Sequence, residues 1–290
     1  MSQYVIVTES TADLTQELVK RYDLAAIPMR FCVGDTEFVN YPDNRELAPK
    51  DFYNMLREGK TSTTSAVNMA DFEEFFTPIL ESGKDILYLG FSSALSSTYG
   101  TSIIAAESLR EKFPERKIIT VDTKCASMGE GLIVCKAAKL RSRGMSIQEV
   151  AAWVENNREN TIQWFTVDDL MHLYRGGRVS AISAHMGTAL GIKPLLHVDD
   201  EGYLKAMQKV RGRKKSLDAL CDVIGEKRTD MSSEMVFISH ADCAEDAEYL
   251  ANQIAEQYNP EEICIGDIGP VVGSHTGPGG LAMFFFGKDR

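Results

Sequence analysis

Asp85-Ile86-Leu87-Tyr88-Leu89-Gly90-Phe91-Ser92-Ser93-Ala94-Leu95-Ser96-Ser97-Thr98-Tyr99 is the stretch whose reading decides the fold. The apolar run Asp85–Gly90 reads as a buried strand. After the hydroxyl-rich segment, Ile103, Ile104, Ala106 and Leu109 recur at helical spacing until Pro114 ends the pattern. A strand therefore ends, five hydroxyl residues fall within seven positions, and a helix begins. Free backbone N–H groups and the positive end of the helix dipole converge there with side-chain hydroxyls, which suits a small anion. Capping of the helix by one or two of these serines is the plainer reading of the same residues.

Working outward, the same strand, hydroxyl turn and helix order appears at the start of the chain. Tyr4-Val5-Ile6-Val7-Thr8 is followed by Glu9-Ser10-Thr11-Ala12-Asp13 and a helical segment over Thr15–Tyr22. Ala26–Val33 reads as a second strand at a sheet edge, because Pro28 cannot donate to a ladder. Lys117–Thr123 is a further strand. Lys60–Asn68 carries Thr61-Ser62-Thr63-Thr64-Ser65, a run of hydroxyls that reads as a loop, with Asn68 available to cap the helix carrying Phe72, Phe75 and Phe76. Alternating strands and helices predict an α/β first domain over 1–160 with a doubly wound, mostly parallel sheet. In such sheets ligands bind beyond the carboxyl ends of the strands.

The pattern changes near Thr161. Leu195–Val198, Asp199-Asp200-Glu201-Gly202 and Tyr203–Met207 read as strand, turn, strand. That hairpin predicts an α+β second domain over 161–290, with the ligand at the interface. Three features stand out in it. Leu173–Ser180 joins two helical stretches through Gly176-Gly177 and offers Arg178, whose guanidinium can grip an oxyanion in bidentate fashion. Lys205, Lys209, Arg211, Arg213, Lys214 and Lys215 crowd a segment of an otherwise acidic chain, as a solvated helix start or a docking surface. Gly269–Leu281 packs glycines and prolines around His275, which implies a tight loop.

Composition narrows the function classes. The 290 residues are 44% hydrophobic with a net charge of −11, which argues against a general nucleic-acid or anionic-membrane binder. No apolar run approaches the ~20 residues of a membrane span, and the start of the chain reads as a strand rather than a signal peptide. A cytoplasmic protein is expected. The six scattered cysteines form no C-x-x-C pair and the five histidines show no metal-binding spacing, so neither a metal nor another cofactor is expected. Gly129-x-Gly131 lacks the third glycine of a dinucleotide loop.

Taken in order, these motifs resemble the DegV family of bacterial fatty-acid-binding proteins, the acyl-binding subunits of fatty acid kinase. Val7–Leu14 is similar to the opening T-D-S-T-A-D-L, Thr64-Ser65-Ala66-Val67-Asn68 to T-S-Q-x-[SN], and Phe91–Tyr99 to I-S-S-x-L-S-G-T-Y. Gly176–Ser180, Lys209–Gly212 and Ser274–Gly279 resemble later segments. The resemblance implies two α/β domains enclosing one long-chain fatty acid. It implies that Thr64 and Ser93 hold the carboxylate, with Ser65, Asn68 and Ser92 nearby and His275 contributing from the second domain. It also implies a separate ATP-dependent kinase subunit as partner, with Arg178, Lys205, Lys209 and Arg211 as its contacts, and at most transient membrane contact. Glu9, Ala66 and Ser97 depart from the usual Asp, Gln and Gly.

A carboxylate spreads one charge over two oxygens, so hydroxyls, backbone donors and one histidine can satisfy it, and each buried CH₂ of a tail adds about 0.8 kcal/mol. No residue set of a complete catalytic constellation is evident. The competing reading is a serine hydrolase or acyltransferase using Ser93 and His275, although no G-x-S-x-G elbow surrounds Ser93. A carrier of some other small acid would share the head-group site.

Overall fold

The computed structural model describes residues 4–180 and 191–290. The second helical stretch expected after Ser180 lies outside the described residues. In chain order the strands are β1 (Tyr4–Glu9), β2 (Leu24–Ile27), β3 (Met29–Val33), β4 (Thr36–Asn40), β5 (Ser62–Thr64), β6 (Asp85–Gly90) and β7 (Ile118–Asp122). They continue with β8 (Thr161–Thr166), β9 (Ile192–Val198), β10 (Leu204–Arg211), β11 (Met235–His240), β12 (Glu262–Asp267) and β13 (Leu281–Phe286). The described helices of the first half are α1 (Gln16–Arg21), α2 (Pro49–Arg57), α3 (Met69–Glu81), α4 (Thr98–Lys112), α5 (Met128–Ser142) and α6 (Ile147–Asn157). Those of the second are α7 (Met171–Arg175), α8 (Arg213–Lys227), α9 (Ala244–Tyr258) and α10 (Pro270–Thr276).

The first half holds a four-stranded sheet of order β2-β1-β6-β7, parallel throughout. The second half builds a six-stranded mixed sheet, β10-β9-β8-β13-β11-β12, in which only the β11–β12 pair is parallel. This is the α/β arrangement expected, a parallel sheet followed by a mixed one. Between the two sheets lies α5, thirteen of whose residues are buried. A helix buried on all sides must satisfy its charges internally. Lys136 accordingly pairs with Glu234 at 2.6 Å, and Arg141 donates to the Tyr22 and Asp23 carbonyls at 2.7 and 2.9 Å. Leu132, Ile133 and Val134 of α5 join Leu87 and Leu89 to Phe237 and Phe284 in one continuous core.

Three local expectations are corrected. Ala26–Val33 is two strands, not one: β2 ends at Ile27 in the parallel sheet, and β3 starts at Met29 in a separate antiparallel sheet of order β4-β3-β5. Pro28 has no N–H with which to continue a ladder, so the chain changes sheet there. Within the loop expected over Lys60–Asn68, Ser62–Thr64 is the strand β5, paired to β3 with Thr64 opposite Phe31. The tight loop expected around His275 contains the two-turn helix α10, opened by Pro270 at its first position, where the missing N–H costs nothing. Among the described residues no helix is long and apolar enough to cross a membrane.

Candidate functional site

A cavity of about 290 Å³ opens between the carboxyl ends of β1 and β6, the inner face of the six-stranded sheet, and α10. Its wall is largely apolar: Phe91, Leu95, Phe165, Val167, Leu173 and Phe284 contribute to it. Polar groups interrupt that wall. Thr64, Ser65, Ser96, Ser97, Arg178 and His275 all line it. A few convergent polar groups on an apolar wall are the usual construction of a small-molecule site.

Strand alternation explains how Thr64 reaches this cluster. Side chains two apart on a strand share a face, so Ser62 and Thr64 both turn toward α10 while Thr63 is exposed. Ser62 Oγ lies 2.6 Å from Ser274 Oγ, and Thr64 Oγ1 lies 3.0 Å from His275 Nε2. His275 is thus fixed from the first half of the chain. Its other ring nitrogen faces Gly176: a Cβ at that position would run into Nδ1. Burial, reinforced by the Arg178 guanidinium, pulls the His275 pKa down to about 4, so the ring is neutral at pH 7. Arg178 donates through Nε to the Leu95 carbonyl at 3.1 Å and through Nη1 to Gly176 O. Burial lowers its pKa from the usual arginine value, and it is the one arginine or lysine among the described lining residues.

The floor carries a residue that sequence reasoning left out as a site group. Glu9, 1% exposed, lines the cavity and accepts hydrogen bonds from the Tyr88 hydroxyl, the Phe91 N–H at 3.2 Å and Thr11 Oγ1 at 3.2 Å. Burial raises its pKa and, together with Glu9, raises that of Glu130 well above the carboxylate range. The available signal was Glu9 itself, a carboxyl at the end of an otherwise apolar strand.

Not all of the expected residues meet here. Thr64, Ser65 and His275 line the cavity; Asn68, Ser92 and Ser93 do not. Asn68 caps α3 in a capping box, its side chain accepting the Asp71 N–H at 3.0 Å while the Asp71 carboxylate accepts its own N–H. Ser93 is exposed, donates to Asp122 Oδ2 at 2.5 Å and is not among the lining residues. The Asp122 carboxylate, at the end of β7, also accepts the Ser93 N–H at 3.3 Å, so both Ser93 donors are directed away from the cavity. Ser92 is fully buried and donates to Gly202 O. The cavity instead takes Ser96 and Ser97, one turn later. Thr98, next in line, accepts the Val67 N–H at 3.2 Å and so ties the two hydroxyl-rich segments together.

The pairing needed by a serine hydrolase is likewise not built from Ser93 and His275. One bonds to Asp122 outside the cavity, the other to Thr64 within it. Arg178, expected at a partner surface, belongs to the cavity wall. Lys205, Lys209 and Arg211 project to solvent from β10, an edge strand, and not from a helix start. Lys205 lies 3.6 Å from Asp199. No group of three or more His, Cys, Asp or Glu side chains suited to a metal ion occurs among the described residues.

Comparison with known proteins adds a family. Residues 3–288 match the family described as "Uncharacterised protein, DegV family". A DegV domain-containing protein of Clostridium perfringens is 46% identical over 290 residues, covering 100% of this chain and 99% of that protein. A DegV family protein from Thermus thermophilus, described as fatty acid binding, superposes with a TM-score of 0.88 at 29% identity, covering 98% of this chain and 99% of the other. The fold is also shared with the Fatty Acid Kinase (Fak) B3 protein of Streptococcus pneumoniae, solved loaded with linoleic acid. That likeness has a TM-score of 0.85 at 21% identity and covers 99% of each chain.

Proposed function

The chain belongs to the DegV family, and from that premise we propose that it binds one long-chain fatty acid and presents its carboxylate to a separate ATP-dependent kinase. The observation that carries the reading is the grouping of Thr64, His275 and Arg178 at the wall of a mostly apolar cavity. The carboxylate pairs with the Arg178 guanidinium and accepts from the Thr64 hydroxyl and a His275 N–H, with Ser65, Ser96 and Ser97 as further donors. A neutral imidazole suits this role, since it can offer a donor without carrying a buried charge of its own. The tail runs along Phe165, Val167, Leu173 and Phe284. Ten buried methylenes would contribute on the order of 8 kcal/mol before ordering costs.

The protein acts as a binding subunit: phosphoryl transfer to the carboxylate is the work of the partner, and the acyl-phosphate is retained afterwards. The partner's docking surface includes exposed Lys205, Lys209 and Arg211 of β10, whose charge suits an acidic face. The motif resemblance in Lys209–Gly212 supports this part of the reading. Native mass spectrometry of gently purified protein is expected to show one added fatty acid. Protein that is reproducibly empty and takes up neither palmitate nor oleate contradicts the reading.

A further inference from the structure

Ser92, Gly202 and Lys124 form a contact that the head-group site does not use. The β9–β10 hairpin turns at Asp199–Tyr203, and Val198 and Leu204, the residues either side of that turn, face each other across the ladder and both line the cavity. The turn is internally braced. Asp199 Oδ1 accepts the Glu201 and Tyr203 N–H groups at 3.1 and 2.8 Å, and the Gly202 N–H donates to Asp199 O at 2.9 Å. Its tip is then fastened to the first half of the chain at two points. Ser92 Oγ donates to Gly202 O at 2.9 Å, and Lys124 Nζ donates to Asp200 O at 2.7 Å.

Ser92 holds the other wall as well. Its carbonyl accepts the Leu95 and Ser96 N–H groups at 3.0 and 3.1 Å, which shapes the turn that carries those two lining residues. The fit at the hairpin is close: a Cβ on Gly202 would overlap Ser92 Oγ. Ser92 is 0% exposed with the hairpin docked, and its Oγ also accepts the Ala94 N–H at 3.3 Å, so the hydroxyl is held from both sides. Undocking would give up the buried Ser92–Gly202 hydrogen bond and the close packing around it, which favours the docked hairpin.

We propose that Ser92 is a positioning residue for the acyl chain: it locks the β9–β10 hairpin in place as a wall of the cavity, and the hairpin controls release of the tail. This inference rests on the fatty-acid reading above. It assigns Ser92 to retention of the chain and not to the carboxylate.

The test uses the full chain loaded with cis-parinaric acid, its release followed by stopped-flow fluorescence on mixing with excess palmitate. Ser92→Ala is expected to speed release roughly tenfold, as loss of one buried hydrogen bond implies. Amide exchange should rise in peptides spanning 198–204 and stay unchanged in β6 and β13. Lys124→Met, which removes the second fastening, should act in the same direction, and it carries the test if Ser92→Ala does not fold. Release rates equal to wild type in the folded variants, or exchange raised throughout the core, would overturn the assignment while leaving the fatty-acid reading intact. Wild-type protein that takes up neither parinarate nor palmitate would instead remove the reading itself, and the inference with it.

Discussion

The two hydroxyl-rich segments, Thr61–Asn68 and Phe91–Tyr99, look alike as sequence and are used differently. In the first, β5 imposes a period of two, so alternate side chains face α10 and Thr64 meets His275. In the second, the chain leaves β6 and turns tightly before α4, with no strand to sort its side chains. Ser92 packs against the hairpin, Ser93 bonds Asp122, and Ser96 and Ser97 reach the cavity. Regular backbone makes the direction of a side chain computable from its position; an irregular turn hands that decision to whichever neighbour is the better acceptor. Substitutions in and around the two segments test this division of roles.

The largest effect concerns the arginine that lines the same cavity as both segments. Arg178→Ala should weaken palmitate binding on the order of a hundredfold, because a charge-assisted contact in a partly buried site is lost. Titration with palmitate by calorimetry would measure it, and an unchanged affinity would remove Arg178 from the site.

His275 gives the next effect, in pH dependence. Its folded pKa of about 4 lies below the usual 6.5, so the unfolded chain binds the proton first as pH falls. The stabilising contribution is therefore complete above pH 6.5 and lost as pH drops toward 4. Relative to wild type, His275→Asn should gain about 2–3 kcal/mol on going from pH 7 to pH 4.5. Urea unfolding of the ligand-free proteins at both values checks this; parallel pH profiles would count against a buried neutral imidazole.

The comparison itself is tested by a pair of smaller changes. Thr64→Val keeps shape and removes the hydroxyl, and should weaken palmitate binding roughly tenfold. Ser93→Ala, on the exposed side of its turn, should change affinity less than about twofold. Equal losses in both variants would mean that the two segments share the carboxylate after all.

Much of the fold was legible in the sequence because it follows from periodicity. The parallel strands β1, β6 and β7 are mostly apolar runs, and the β9–β10 hairpin announces itself through Asp199–Gly202. What was not legible depends on distant partners. Nothing local in Ser62–Thr64 marks a strand; β5 exists because β3 offers it an edge. Pro28 was readable as an interruption of the ladder, but that the chain would change sheet there depends on where β4 and β5 lie. At the site, His275 and Thr64 were visible as residue types in suggestive surroundings. Ser96 and Ser97 were visible too, yet their orientation relative to Ser92 and Ser93 required knowing that Asp122 and Gly202 compete for those hydroxyls. Glu9 was readable only as a departure, since its hydrogen-bond partners Tyr88 and Phe91 lie far away in the sequence.

A crystal structure of the protein saturated with palmitate tests the central claim most directly. The account predicts the carboxylate within about 3 Å of Thr64 Oγ1 and His275 and paired with Arg178, its tail along Phe165 and Phe284. A carboxylate found beside Ser93 and Asp122, or a chain lying outside the cavity, would contradict it.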